Sequence, residues 1–125
     1  MPDAARLMLG GGALVMALGV VLGAISAHAS KGAAHPEAAR LMQTAVQYQL
    51  VHGLGIVLCG VLARNAASTW VMAAGLLLLV GVLFFCGSLW WLALRNQSLG
   101  AVAPLGGIAF IAGWLALAIF AFVQR

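Results

Sequence analysis

Apolar residues in this chain do not alternate with polar ones. They run on, and charged residues fall only at the breaks. No Asp, Glu, Lys or Arg lies between Arg6 and Lys31, between Arg40 and Arg64, between Arg64 and Arg95, or between Arg95 and Arg125. A helix needs about 20 apolar residues to cross a hydrocarbon core about 30 Å thick, and each stretch is at least that long. The pattern predicts four transmembrane helices, over residues 7–27, 41–63, 70–94 and 99–123. Continuous Leu, Val, Ala and Gly lacks the period of two that marks the strands of a membrane barrel. The expected fold is all-α: one domain, residues 1–125, built as an up-down-up-down bundle of four transmembrane helices.

The breaks between spans carry their own signals. Arg6, an apolar run and Ala27-His28-Ala29 imitate a signal peptide with an A-x-A site. The run is longer than the usual h-region of about 7–15 residues, so this segment is expected to stay as the first span. Pro36 suits the first position of the second helix and Glu37 its first turn. That helix is expected to start above the membrane, with residues 40–43 in the interface. Residues 64–69 and 95–98 read as tight turns, which makes successive helices antiparallel. Trp70 and Trp90 lie about 30 Å apart along a helix, the separation of the two interfacial aromatic belts. Trp91 joins the second belt, while mid-span Trp114 is expected to pack.

Composition narrows the class further. The 125 residues are 65% hydrophobic and 6% charged, with a mean hydropathy of +1.13. Soluble domains carry roughly 25% charged residues, so a soluble globular enzyme, a disordered linker and a disulfide scaffold are all excluded. The positive-inside rule compares Lys and Arg across loops. Here Arg6, Arg64 and Arg125 on one side balance Lys31, Arg40 and Arg95 on the other, and charge gives no orientation. Cys59 and Cys86 differ in depth by about 18 Å from their shared turn, too far for a disulfide.

Small and polar residues then show where the bundle has character. Gly19 and Gly23 form a GxxxG continued by Ala27; Gly75, Gly81 and Gly87 punctuate the third span, and Gly106, Gly107 and Gly113 the fourth. Such residues let helices approach closely, and packing within the bundle is the expectation. At 100° per residue, Thr44, Gln47, Tyr48, Val51, His52 and Gly55 share one arc of the second helix. Ser26 and His28 end the first span, Ser88 lies late in the third, and Pro104, Gly106 and Gly107 lie early in the fourth. Because helices alternate direction, all of these belong to one half of the membrane. Unpaired polar groups in hydrocarbon cost several kcal/mol, so His28, Tyr48, His52 and Ser88 are expected to form one cluster. The Pro104–Gly107 stretch should bring irregular or closely approaching backbone to it, and Gln49 is a further candidate.

Four motifs in order carry a resemblance: Gly23-Ala24-Ile25-Ser26-Ala27-His28; Thr44 with Tyr48-Gln49 and His52; Phe85-Cys86-Gly87-Ser88-Leu89; and Pro104-Leu105-Gly106-Gly107 leading to Ala112-Gly113-Trp114. Together they resemble the domain-of-unknown-function 423 family, which also takes in the transmembrane-protein-256-like proteins. Cys86-Gly87 departs from the Ser-Gly expected there. The resemblance implies a small four-helix protein of the bacterial cytoplasmic membrane with both termini inside. It implies no activity, cofactor or partner.

Chemistry on these residues is weighed against plainer roles. Ser88 and His52 suggest a nucleophile and base, but no carboxylate lies in any span; the plainer role is a hydrogen bond from Ser88 to its own backbone or to His52. His28 and His52 lie at different depths, which argues against a shared metal or haem, so no cofactor is expected. His52 is the only deep ionisable group, which motivates proton or ion transport, yet four such helices leave no pore without oligomerisation. Two classes remain. One is a non-enzymatic binding or accessory protein that holds a lipid or quinone-like head or a partner helix. The other is an oligomeric transporter or channel with His52 titrating. Expected partners are membrane lipids, a larger membrane complex or a second copy, and no nucleic acid.

Overall fold

The computed structural model describes residues 1–29, 37–65 and 68–124. Among these, every element is helical: α1 (Asp3–Ala29), α2 (Ala38–Ala63), α3 (Thr69–Gly81), a π segment (Val82–Cys86), α4 (Gly87–Arg95) and α5 (Val102–Val123). α3, the π segment and α4 follow without a break as one span, Thr69–Arg95, so four helices are long and apolar enough to cross a membrane. Pro36 and Lys31 lie outside the described residues.

The helix ends differ from the sequence reading for local reasons. α2 starts at Ala38 beside an Arg40–Glu37 ion pair of 2.9 Å. Its first turns pack on the end of the third span, with Ala38 and Met42 buried against Ala93 and Trp90. The third span starts where the Ser68 hydroxyl accepts the Trp70 N–H at 3.2 Å, an N-cap. It ends at Asn96, in the left-handed region at φ 52°. The 95–98 turn runs on further, since the Ser98 hydroxyl accepts the Gly100 N–H and Gly100 takes φ 65°. α5 therefore begins at Val102 rather than at residue 99. Pro104 falls in its first turn, where a missing N–H costs no helical bond.

Glycine sets the α1–α2 spacing. A Cβ on Gly12 would lie 2.7 Å from the Val57 nitrogen, and one on Gly60 2.6 Å from that of Leu9. With Gly19 on Leu50 and Gly23 on Val46, the small stripe seen in sequence packs inside the molecule. Gln49, buried, donates from Nε2 to the Val15 carbonyl at 3.0 Å. α1 packs chiefly on α2, and α5 chiefly on the third span. A stripe of α2 facing outward stays uncovered: Gln43, Gln47, Val51, Leu54, Leu58 and Val61 are exposed.

The π segment was not foreseen. A π turn carries one residue more than an α turn, so the residues after it present a rotated face. Trp90, expected in an interfacial belt, instead packs on the core, and its indole nitrogen is buried. Trp70, Trp91 and mid-span Trp114 are exposed. The Arg95 guanidinium lies 5.4 Å over the Trp91 ring, within cation–π range.

Candidate functional site

Tyr48 and His52 sit one turn apart near the centre of α2, about 15 and 21 Å from its first residue in a helix of about 38 Å. That places them close to the bilayer midplane. His52 is buried, and the closest aromatic neighbour of its ring is Phe110 of α5, stacked at 3.6 Å between centroids. Tyr48 stacks 5.7 Å from His52 and packs 4.6 Å from Phe85 of the π segment. Trp114 closes the cluster, 5.9 Å from His52. Five rings from three elements, His52 among them, thus form one aromatic cluster.

Close approach of α5 makes this possible. A Cβ on Gly106 would stand 2.4 Å from the Phe85 nitrogen, and a Cβ on Gly81 would fall inside the Phe110 ring. Helix α5 is unbroken from Val102, so the irregular backbone is not the Pro104–Gly107 stretch itself. It is the π segment facing Gly106. Gly107 points elsewhere, with nothing nearer to a Cβ than 3.9 Å.

The hydrogen bonds of His52 define its chemistry. Nδ1 lies 2.7 Å from the Tyr48 carbonyl oxygen, which can only accept. Nδ1 therefore carries the proton, and a neutral ring presents Nε2 as a bare acceptor. Nε2 has no partner among the described residues. It is also not sealed in, because His52 lines a cleft of about 260 Å³ with Gln47, Tyr48 and Val51. The Gln47 amide and the half-exposed Tyr48 hydroxyl likewise lack partners among the described residues.

The remaining candidates are placed less centrally. Ser88 is buried and its hydroxyl has no hydrogen-bond partner among the described residues, so neither the bond to His52 nor the bond to its own helix is made. The pairs Tyr48–Phe85 and Gly55–Leu78 put Ser88 level with Ala45, about 10 Å along the axis from His52. His28 is exposed in the last turn of α1. By the Gly19–Leu50 and Gly12–Val57 register it lies about 16 Å from the level of His52, away from the cleft. Gln49 ties α1 to α2 rather than lining the cleft. The four expected members therefore do not form one group: Tyr48 and His52 meet, while Ser88 and His28 lie at other levels. Phe85, Phe110 and Val51 were missed, although Phe85 stands in a quoted motif and Val51 on the polar arc.

Two further cavities adjoin the cleft along α2. Toward the start of α2, one of about 400 Å³ is lined by Gly23, Ser26, Ala27, Gln43, Val46, Gln47 and Leu50. Toward its end, one of about 510 Å³ is wholly apolar and includes Val51, Leu54, Leu58, Val61 and Trp114. Gln47 belongs to the first two and Val51 to the last two.

Comparison with known proteins agrees with this architecture. The sequence profile of DUF423, "Protein of unknown function", matches residues 22–107. A UPF0382 membrane protein of Staphylococcus haemolyticus is 45% identical over 112 residues, covering 89% of this chain and 91% of its own length. The UPF0382 membrane protein YwdK of Bacillus subtilis is 38% identical, covering 88% and 91%. The UPF0382 inner membrane protein YgdD of Escherichia coli is 36% identical, covering 76% and 73%. No solved structure matches.

Proposed function

The chain belongs to the DUF423 family of multi-pass membrane proteins, and within it we propose a non-enzymatic protein whose mid-membrane cleft holds the polar head of a lipid-like or quinone-like molecule. One observation carries this reading. His52, Tyr48 and Gln47 line one mid-membrane cleft, and His52 Nε2, the Tyr48 hydroxyl and the Gln47 amide have no hydrogen-bond partner among the described residues. Unsatisfied polar groups at that depth cost several kcal/mol each, and a bound molecule offsets that cost. Among the described residues no charged side chain lines the cleft, which favours an uncharged head over a phosphate or an ammonium.

Catalysis finds less support. A nucleophile needs a base within hydrogen-bond reach, and Ser88 and His52 stand at different levels. Ion transport through a titrating His52 also finds less support, since Nδ1 is bonded to backbone and the ring is stacked on Phe110. A partner helix of a larger complex would satisfy the same polar groups.

Purification in mild detergent followed by native mass spectrometry tests the reading. The wild-type chain should carry a defined small-molecule adduct, enriched over its share of the membrane. His52→Leu should lose that adduct with little change in melting temperature, since one membrane hydrogen bond averages only about 0.6 kcal/mol. Bulk lipid alone, unchanged by the substitution, would contradict the reading.

A further inference from the structure

The cleft and the apolar cavity beside it are two parts of one furrow, and their chemistry differs in a way that selects a ligand. Gln47, Val51, Leu54, Leu58 and Val61 follow one another at spacings of three or four residues, so they form a single stripe on α2. The polar cleft is at Gln47, Tyr48 and His52; from Val51 onward the lining is entirely apolar. Gly55 forms part of that lining and Trp114 stands beside it. The apolar part runs about 15 Å from Val51 to Val61, one leaflet's depth. A single hydrocarbon chain has that reach and suits the wholly apolar lining.

The polar end is selective in sign. With its proton on Nδ1, neutral His52 offers Nε2 only as an acceptor. A carbonyl head has no hydrogen to give it; a hydroxyl does. Tyr48 and Gln47, each both donor and acceptor, then take the hydroxyl's lone pairs. Resting on the reading above, we propose that the site takes a neutral hydroxyl-headed amphiphile: its O–H donates to His52 Nε2 near the midplane, and its single chain lies in the Val51–Val61 furrow toward the Arg64 end of α2. A phospholipid, whose head stays at the surface, does not place a donor there.

The test compares two probes of equal chain, 1-tetradecanol and its methyl ether, on the purified full-length chain in lipid nanodiscs. The readouts are saturable binding and the ¹⁵N resonance of His52 Nε2. The alcohol should saturate, shift the Nε2 resonance and bind roughly tenfold more tightly than the ether, the factor given by one hydrogen bond at the upper end of its usual net worth. In His52→Phe, which keeps an aromatic ring to stack on Phe110, that preference should vanish. Leu58→Trp, a change on the exposed stripe, should weaken both probes. Equal binding of alcohol and ether to the wild type would overturn the donor assignment, with no variant needed. Undiminished binding to Leu58→Trp would overturn the furrow. If neither probe saturates while native mass spectrometry still finds a His52-dependent adduct, this inference fails and the broader reading stands; if both are absent, both fall. A dimer dissociated by Leu58→Trp, with neither probe bound, would assign the furrow to a second copy and overturn the proposal.

Discussion

Gly106 and Gly107 are neighbours in sequence and opposites in surroundings. A methyl on Gly106 meets the Phe85 backbone, which cannot move aside like a side-chain tip, while one on Gly107 meets nothing closer than 3.9 Å. Gly106→Ala is therefore expected to lower stability by about 1–3 kcal/mol, the usual cost of overpacking, and Gly107→Ala to leave it nearly unchanged. Thermal unfolding of both variants in detergent checks the pair; equal effects would mean that α5 does not approach as described. Sequence alone named both glycines without separating them, because a Gly-Gly pair does not reveal which Cα faces a neighbour. The polar arc of α2 was legible, since 100° per residue fixes which side chains share a face. Ser88 was not, because its direction depends on the turn preceding it.

That turn is the element with the widest consequences. The π segment Val82–Cys86 inserts one residue into the third span. It puts Phe85 against Tyr48 and Phe110 and leaves Trp90 and Ala93 facing inward. Nothing in a Val-Leu-Phe-Phe-Cys run distinguishes a π turn from an α turn, as both are apolar and helical. The Trp90 expectation failed for that reason, while the four spans held, being set by length and hydropathy. Deleting Leu83, an exposed residue of this segment, should remove the extra residue, restore an α turn and leave the residues after it on their present faces. In detergent, with Cys59 replaced by Ala, the buried Cys86 thiol should then stay as protected from a maleimide as it is without the deletion. A folded deletion variant in which Cys86 became open to alkylation would show that the turn does not absorb one extra residue.

At the scale of the whole molecule, the four spans divide into an inner pair and two flanks. α2 and the third span are the more buried helices, and α1 is the least. The uncovered stripe of α2 exists because the α1 glycines and the α5 crossing hold the flanks to either side of it. Antiparallel order and the glycine contacts within the bundle were legible from turn lengths and small-residue spacing; the furrow was not, since it depends on which faces the flanking helices leave open. The measurement that bears most directly on the account is photo-crosslinking in native membranes from benzoylphenylalanine placed at Val51, in the cleft, and at Leu18, an exposed position on α1 at the same depth by the Gly19–Leu50 register. Val51 should yield one adduct of defined mass that Leu18 does not, and His52→Leu should abolish it. The same mixture of bulk lipids captured at both positions, unaffected by His52→Leu, would contradict a ligand site on this face.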